Sequence, residues 1–246
     1  MPDAVTAAIL VIGDEILSGR TKDRNIGHIA EYLTAVGIDV KEVRVVPDEE
    51  SEIVAAVNAL RARYTYVFTT GGIGPTHDDI TADCVAKAFG VGIDVNEEAR
   101  AMLLERIKPD DLNEARLRMA RIPFGASLVA NPVSKAPGFR LGNVIVMAGV
   151  PSIMQAMLDE VAPTLDTGVR MLSRTVEAGD LPEGLYAAGL AEIAKARPGV
   201  SIGSYPSFGP AGFRNQIVAR AKDPAALAEA AAALDDLVAR LRAERT

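Results

Sequence analysis

One stretch constrains this chain more than any other: Thr69-Thr70-Gly71-Gly72-Ile73-Gly74-Pro75-Thr76-His77-Asp78-Asp79-Ile80-Thr81. A run rich in β-branched and aromatic residues, Tyr64 to Thr69, leads into it and predicts a buried strand. An apolar-periodic segment, Ala82 to Phe89, follows and predicts a helix. Glycine tolerates φ > 0 and presents no side chain, so successive N–H groups in such a turn can point inward at an anion. The helix start beyond it adds partial positive charge. A phosphate with a divalent cation is one reading. A tight structural connection is the other, and spacing alone does not separate them. The stretch is neither a Walker A loop nor a G-x-G-x-x-G fingerprint.

Strands and helices alternate around it. Ala7 to Ile12 reads as a strand covered on both faces, followed by turns at Gly13-Asp14-Glu15 and Leu17-Ser18-Gly19. Ile26, Ile29, Ala30 and Leu33 mark a helix from about Asp23 to Val36, with Gly37 as its C′ residue. Ile38 to Val46 is the next strand, and Ile53, Ala56, Val57 and Leu60 mark the next helix. This order predicts βαβ units and a parallel sheet, whose ligands bind beyond the carboxyl ends of the strands. Asp14, Asp48 and the pair Asp78-Asp79 each follow such an end and are candidates for one crevice. Each could also be only a turn or capping residue.

Asn96 opens a helix to Ile107, and Asn113 to Arg121 reads as a further helical piece. Arg100, Arg106, Arg116, Arg118 and Arg121 read as a solvated face, with the option that one reaches a bound anion. The segment 131–139, Asn-Pro-Val-Ser-Lys-Ala-Pro-Gly-Phe, reads as a loop. The strand Asn143 to Ala148, the turn 149–152 and the helix Ile153 to Val161 offer a second wall to the crevice. A boundary at Asp166-Thr167-Gly168 divides the chain into 1–168 and 169–246. The second part reads as strand, helix, strand, strand and helix, with a long hairpin loop from Pro206 to Gly212.

Composition excludes several functions. A net charge of −7 without a basic block disfavours nucleic acid, which demands a Lys/Arg footprint. One cysteine and two histidines leave no Cys/His zinc site, so a metal here would be a hard cation on carboxylates. Cys84 falls on the apolar face of its helix and reads as core. There is no membrane-spanning run, and Met1 to Ile12 lacks a basic leader, so the expected location is cytoplasmic.

Four motifs stand in order: Gly-Asp-Glu-Ile-Leu-Ser-Gly at 13–19, the Gly loop with Asp-Asp-Ile-Thr at 69–81, Asn-Pro-Val with Ala-Pro-Gly-Phe at 131–139, and Gly-Val-Pro-Ser at 149–152. Over roughly residues 5 to 165 they resemble the MoaB/Mog-type molybdopterin-binding domain, and more closely the first domain of the competence/damage-inducible protein A (CinA) family. Gly203-Ser204-Tyr205-Pro206 resembles that family's small second domain. The resemblance implies a three-layer α/β fold with a mostly parallel sheet, then a small α+β domain, and a homo-oligomer, dimer or trimer. It implies a phosphate or pyrophosphate on Gly71, Gly72, Ile73 and Gly74. Asp79, Asp48 and Asp14 are the implied Mg²⁺ ligands, with Asp79 and Asp48 catalytic. Asp14, Ser18, Thr70, Asn131, Pro137, Gly138, Gly149, Pro151 and Ser152 complete the implied ligand site.

Two departures stand out: Ile153 replaces the family's glutamate on the second wall, and Lys135 stands where a small polar residue is usual. Neither a deamidase domain nor an adenylylating domain of the FAD-synthase kind is expected. The implied activity is Mg²⁺-dependent hydrolysis of a nucleotide pyrophosphate such as ADP-ribose. Two alternatives are a molybdopterin adenylyltransferase, with molybdopterin as ligand, and a non-catalytic nucleotide- or pterin-binding module.

Overall fold

The computed structural model describes residues 4–209 and 212–245, in two compact units that divide between Gly168 and Val169. The first unit runs β1 (Thr6–Ile12), α1 (Asp14–Leu17), α2 (Asn25–Ala35), β2 (Asp39–Val46), α3 (Glu50–Arg61), β3 (Tyr66–Thr70) and α4 (Thr81–Phe89). It continues through β4 (Ile93–Val95), α5 (Glu97–Leu104), α6 (Glu114–Leu117), β5 (Arg121–Pro123), β6 (Ser127–Val129), β7 (Gly138–Leu141), β8 (Val144–Met147) and α7 (Pro151–Val161). The main sheet has the order β2-β1-β3-β8-β7-β6. Its first four strands are parallel, and β7 and β6 join by antiparallel pairing.

Three layers follow from the period-two alternation of β1. Ala8, Leu10 and Ile12 face one core, where Ile53, Val57 and Leu60 of α3 and Val85 of α4 pack. Ala7, Ile9 and Val11 face the other, packed by Ile29 and Leu33 of α2 and Met154, Met157 and Leu158 of α7. Burial of each large aliphatic side chain is worth about 1.5–3 kcal/mol. Helix α2 ends at Gly37, whose φ of 88° lets the Gly37 and Ile38 amides bond back to the carbonyls of Thr34 and Leu33. Cys84 is buried, and burial pushes its thiol up to about 12.

This arrangement creates the site. Strand β3 lies between β1 and β8. The helix after β3, α4, packs on one face of the sheet, whereas α2 and α7, after β1 and β8, pack on the other. The connections leaving the carboxyl ends of these neighbours diverge, which opens a crevice at the switch point.

Some expected boundaries move. The helical piece from Asn113 shortens to α6 plus a 3₁₀ turn, Arg118–Ala120, because Arg121 is already paired with Val95 in the β4–β5 ladder. Gly138 and Phe139 are not loop but the start of β7, opposite β8.

The second unit holds β9 (Leu172–Gly179), α8 (Glu183–Ala196), β10 (Ser201–Gly209), β11 (Gly212–Ala221) and α9 (Pro224–Ala243). Its antiparallel sheet has the order β10-β11-β9, and its core includes Val176, Tyr186, Ile217, Leu234 and Leu237. The expected long hairpin loop is instead ladder: pairing runs through Pro206↔Asn215 to Gly209↔Gly212, while 210–211 lie outside the described residues. Pro206 is compatible with this because β10 is an edge strand, where a missing N–H costs little. Among the described residues, no helix is long and apolar enough to cross a membrane.

Candidate functional site

A cleft of about 520 Å³ opens beyond the carboxyl ends of β1, β3 and β8. Glu15 and Thr21 line it from the first connection, Gly71 to Pro75 with Asp79 from the second, and Ala148 to Pro151 with Ile153 from the third. Asn131, Ser134 and Ala136 close one side, and Met119 another. Its volume lies within the usual range for small-molecule sites.

The glycines of the loop have separate reasons. Gly71 has φ 103°, and a Cβ there would lie 2.1 Å from the Ile12 carbonyl oxygen. Gly72 has φ 66°, and its Cβ would lie 2.2 Å from Thr81 Oγ1, which itself donates to the Gly71 carbonyl at 3.0 Å. These two glycines are required by the turn, whatever binds. Gly74 differs: a Cβ there would lie 2.6 Å from Asp79 Oδ2. The Gly71 amide is spent on the Met147 carbonyl, at 3.2 Å. Those of Gly72, Ile73 and Gly74 meet no acceptor among the described residues and remain available to an anion.

The aspartates divide into two places. Asp79 Oδ2 accepts from the Thr76 amide at 2.8 Å and the Thr76 hydroxyl at 2.5 Å, which fixes its carboxylate beside Gly74 on the cleft. Asp79 does not cap α4, whose N-cap is Ile80. Asp48 Oδ2 instead accepts from the Asp14 amide at 3.0 Å. Burial raises the Asp48 carboxyl from its ordinary value of 3.8, opposed by that hydrogen bond and reinforced by the charges of Asp14, Glu15 and Asp78. Negative charge thus accumulates beside the cleft with Glu15 as its link. No three His, Cys, Asp or Glu side chains among the described residues converge as a ready-made metal cage.

The remaining predicted residues are placed as follows. Gly149 lines the cleft, and a Cβ on it would lie 3.3 Å from Gly71 Cα, so the two turns nearly touch. Its carbonyl accepts from Asn25 Nδ2 at 2.8 Å. Asn131 lines the cleft, but its amide serves its own loop through Val133, Ser134 and Ala136. Pro137 lines a small cavity adjoining the Gly loop, and Pro151 begins α7 on the cleft wall. Gly138 is buried in β7, where a Cβ would lie 2.1 Å from the Val146 carbonyl oxygen. Thr70 is buried at the end of β3 with its hydroxyl unpartnered. Ser18 and Ser152 are exposed and are not among the residues lining the cleft. Lys135 pairs with Glu105 at 2.6 Å, also outside it, whereas Ile153 gives the second wall an apolar face.

Glu15, Thr21 and Met119 were not assigned to the site from sequence, and Arg118 enters there only as one of five arginines of which one could reach a bound anion. Glu15 is adjacent to a residue that was, and its proximity to the second strand end would have singled it out. Arg118 lies in a turn, Arg118–Ala120, that only the tertiary structure carries to the Gly loop.

Fold and cleft together define an α/β small-molecule-binding domain with its site at the switch point of a mostly parallel sheet. The chain belongs to the probable molybdopterin binding domain family, whose model matches residues 8–167, and within it to the CinA type. Residues 170–244 match the middle domain of FAD synthase. A protein of Aeropyrum pernix is 34% identical over 249 residues, covering 96% of this chain and 93% of its own. A CinA-like protein of Desulfosudis oleivorans is 36% identical over 214 residues, or 80% of this chain but 51% of the relative, so this chain spans about half of it. The solved CinA protein of Thermoplasma acidophilum, described as of unknown function, is 36% identical with a TM-score of 0.62, over 65% of this chain and 98% of that one.

Proposed function

We propose that this chain is a Mg²⁺-dependent nucleotide pyrophosphatase acting on ADP-ribose or a similar dinucleotide. The observation that carries the reading is that Gly72, Ile73 and Gly74, whose amides meet no acceptor among the described residues, line the same cleft as Asp79 with its fixed carboxylate. In this reading those amides receive phosphate oxygens, where preorganised donors each contribute about 3 kcal/mol to stabilising developing charge. Asp79 Oδ2 is held by Thr76, which leaves Oδ1 as the oxygen available to a ligand. Mg²⁺ is compatible with the residues present, because it keeps several waters and uses one or two carboxylates together with substrate phosphates. The like-charge repulsion around Asp48 favours such a cation. When bound, the cation neutralises phosphate charge and lowers the pKa of water. Asp79 is assigned to hold it, and Asp48 with Asp14 to set the negative field that attracts it and orients water.

The second reading, a molybdopterin-related enzyme, draws on the family and on Ile153, Val150 and Met119, whose apolar surfaces suit a pterin ring. Turnover decides between them. ADP-ribose incubated with the purified chain and Mg²⁺ should yield AMP and ribose 5-phosphate, and none with chelator. Absence of turnover, with a pterin retained through purification, would replace the first reading with the second.

A further inference from the structure

Beside the cleft, and sharing Gly72, Ile73, Gly74, Asp79 and Met119 with it, lies a small cavity of about 20 Å³ that Arg118 and Arg121 also border. That volume admits roughly one water-sized group, so it would take an oxygen of a ligand whose bulk stays in the cleft. Its two arginines are in different states. Arg121 is committed, its two terminal nitrogens lying 2.8 and 2.7 Å from the carboxylate oxygens of Asp83. Arg118 has no carboxylate partner among the described residues. Its Nη2 donates to the Asp79 carbonyl at 3.2 Å, and its Nε is buried without an acceptor.

A guanidinium cannot shed its proton to escape this position. A buried donor left unpaired is destabilising and calls for an explanation, commonly a water, an ion or a ligand. A water would satisfy Nε but not the charge. The two acidic side chains bordering the cavity are already engaged, Asp83 by Arg121 and Asp79 by Thr76, and the Gly-loop residues with open amides border it as well. An anionic oxygen is the one group that would answer both the amides and the arginine.

We propose that Arg118 is the anion-binding residue of this cleft: it receives a phosphate oxygen in the small cavity and, through the Asp79 carbonyl, couples phosphate occupancy to the placement of the Asp79 carboxylate. The assignment rests on the reading of the cleft as a phosphoanhydride site. It adds an affinity element, because Gly72 and Gly74 border the same small cavity as Arg118, so the loop amides and the guanidinium would act on one anionic group.

The test uses the full chain and inorganic pyrophosphate at fixed ionic strength, with and without Mg²⁺. Pyrophosphate should raise the melting temperature of wild type, and Arg118→Met should bind it about tenfold or more weakly, the loss expected for a charge-assisted hydrogen bond. Arg118→Lys should recover part of the affinity by keeping the charge without the fork. Wild-type affinity in Arg118→Met would overturn the assignment, even if that variant melts lower. So would a wild type indifferent to pyrophosphate. Should the variants fail to fold, modification of wild-type Arg118 by phenylglyoxal, read by peptide mass spectrometry, replaces them: protection by pyrophosphate supports the role, and unchanged modification refutes it. Arg118-dependent pyrophosphate binding without ADP-ribose turnover would sink the proposed activity alone. Turnover with unchanged pyrophosphate binding in Arg118→Met would sink this assignment alone.

Discussion

At the residue scale, two glycines with positive φ, one in the Gly loop and one after α1, make different demands. Gly72 sits at φ 66°, where a Cβ would lie 2.2 Å from Thr81 Oγ1, while Gly19 sits at φ 72°, where a Cβ would meet nothing within 4 Å. Gly19→Ala should therefore cost only the left-handed backbone penalty, about 1 kcal/mol. Gly72→Ala should cost that plus about 1–3 kcal/mol of displacement at Thr81. Chemical denaturation of the two variants compares them directly, and equal losses would show that the Thr81 contact yields freely. Asp79 is tested differently. Asparagine keeps an acceptor for Thr76, so Asp79→Asn should remain within about 1 kcal/mol of wild type. It should nonetheless lose most Mg²⁺-dependent turnover, since the amide lacks the charge a hard cation requires. Retained turnover would move the metal role to Asp48 or Asp14.

At the element scale, the edge of the sheet carries a polar cluster whose pH dependence has a definite sign. On β2, Glu42 accepts from Tyr64 Oη at 2.7 Å and Arg44 Nε at 2.6 Å. These two hydrogen bonds, Tyr64 first, hold its carboxyl below the ordinary 4.5. The native chain therefore binds fewer protons there than the unfolded one, so the contribution is complete above 4.5 and is lost as pH falls through the lowered folded value. Tyr64→Phe should lower the melting temperature at pH 7 by more than at pH 4, and a difference independent of pH would trace the effect to ring packing. The same scale shows what the sequence made legible. Ile53, Ala56, Val57 and Leu60 announce α3 because a helical stripe repeats often enough to be read, and all four are buried. Strand β7 is four residues long and begins in a Pro/Gly-rich run, so turn chemistry masks it. Its glycine is there for close approach to β8, a pairing invisible to local pattern. The Gly loop and its aspartate were legible for the same reason as α3, a dense local signal. Arg118 and Glu15 were not, since their roles arise from contacts 39 residues away in one case and across strand ends in the other.

At the scale of the whole molecule, the question is whether the cleft needs the second unit in order to exist. The two cores facing the main sheet draw only on residues up to Leu165, and the residues lining the cleft all lie between Glu15 and Ile153. The second unit builds its core from Val176 to Leu241. The solved Thermoplasma chain, matched over 98% of its length by 65% of this one, is close to the first unit in size. A fragment ending at Gly168 should therefore fold cooperatively and keep the affinity of the full chain for pyrophosphate. Chains of this length bury close to 70% of their unfolded surface, enough for a stable core. The remaining fragment, from Val169, has a single small core and should melt at the lower temperature. Calorimetry of the full chain beside both fragments checks this: two transitions matching the separate fragments are expected. An insoluble first fragment, rescued only by the covalent presence of the second, would show that the main sheet does not carry its own stability. A soluble first fragment that melts as expected but has lost pyrophosphate binding would locate part of the binding site in the second unit and leave the folding argument intact.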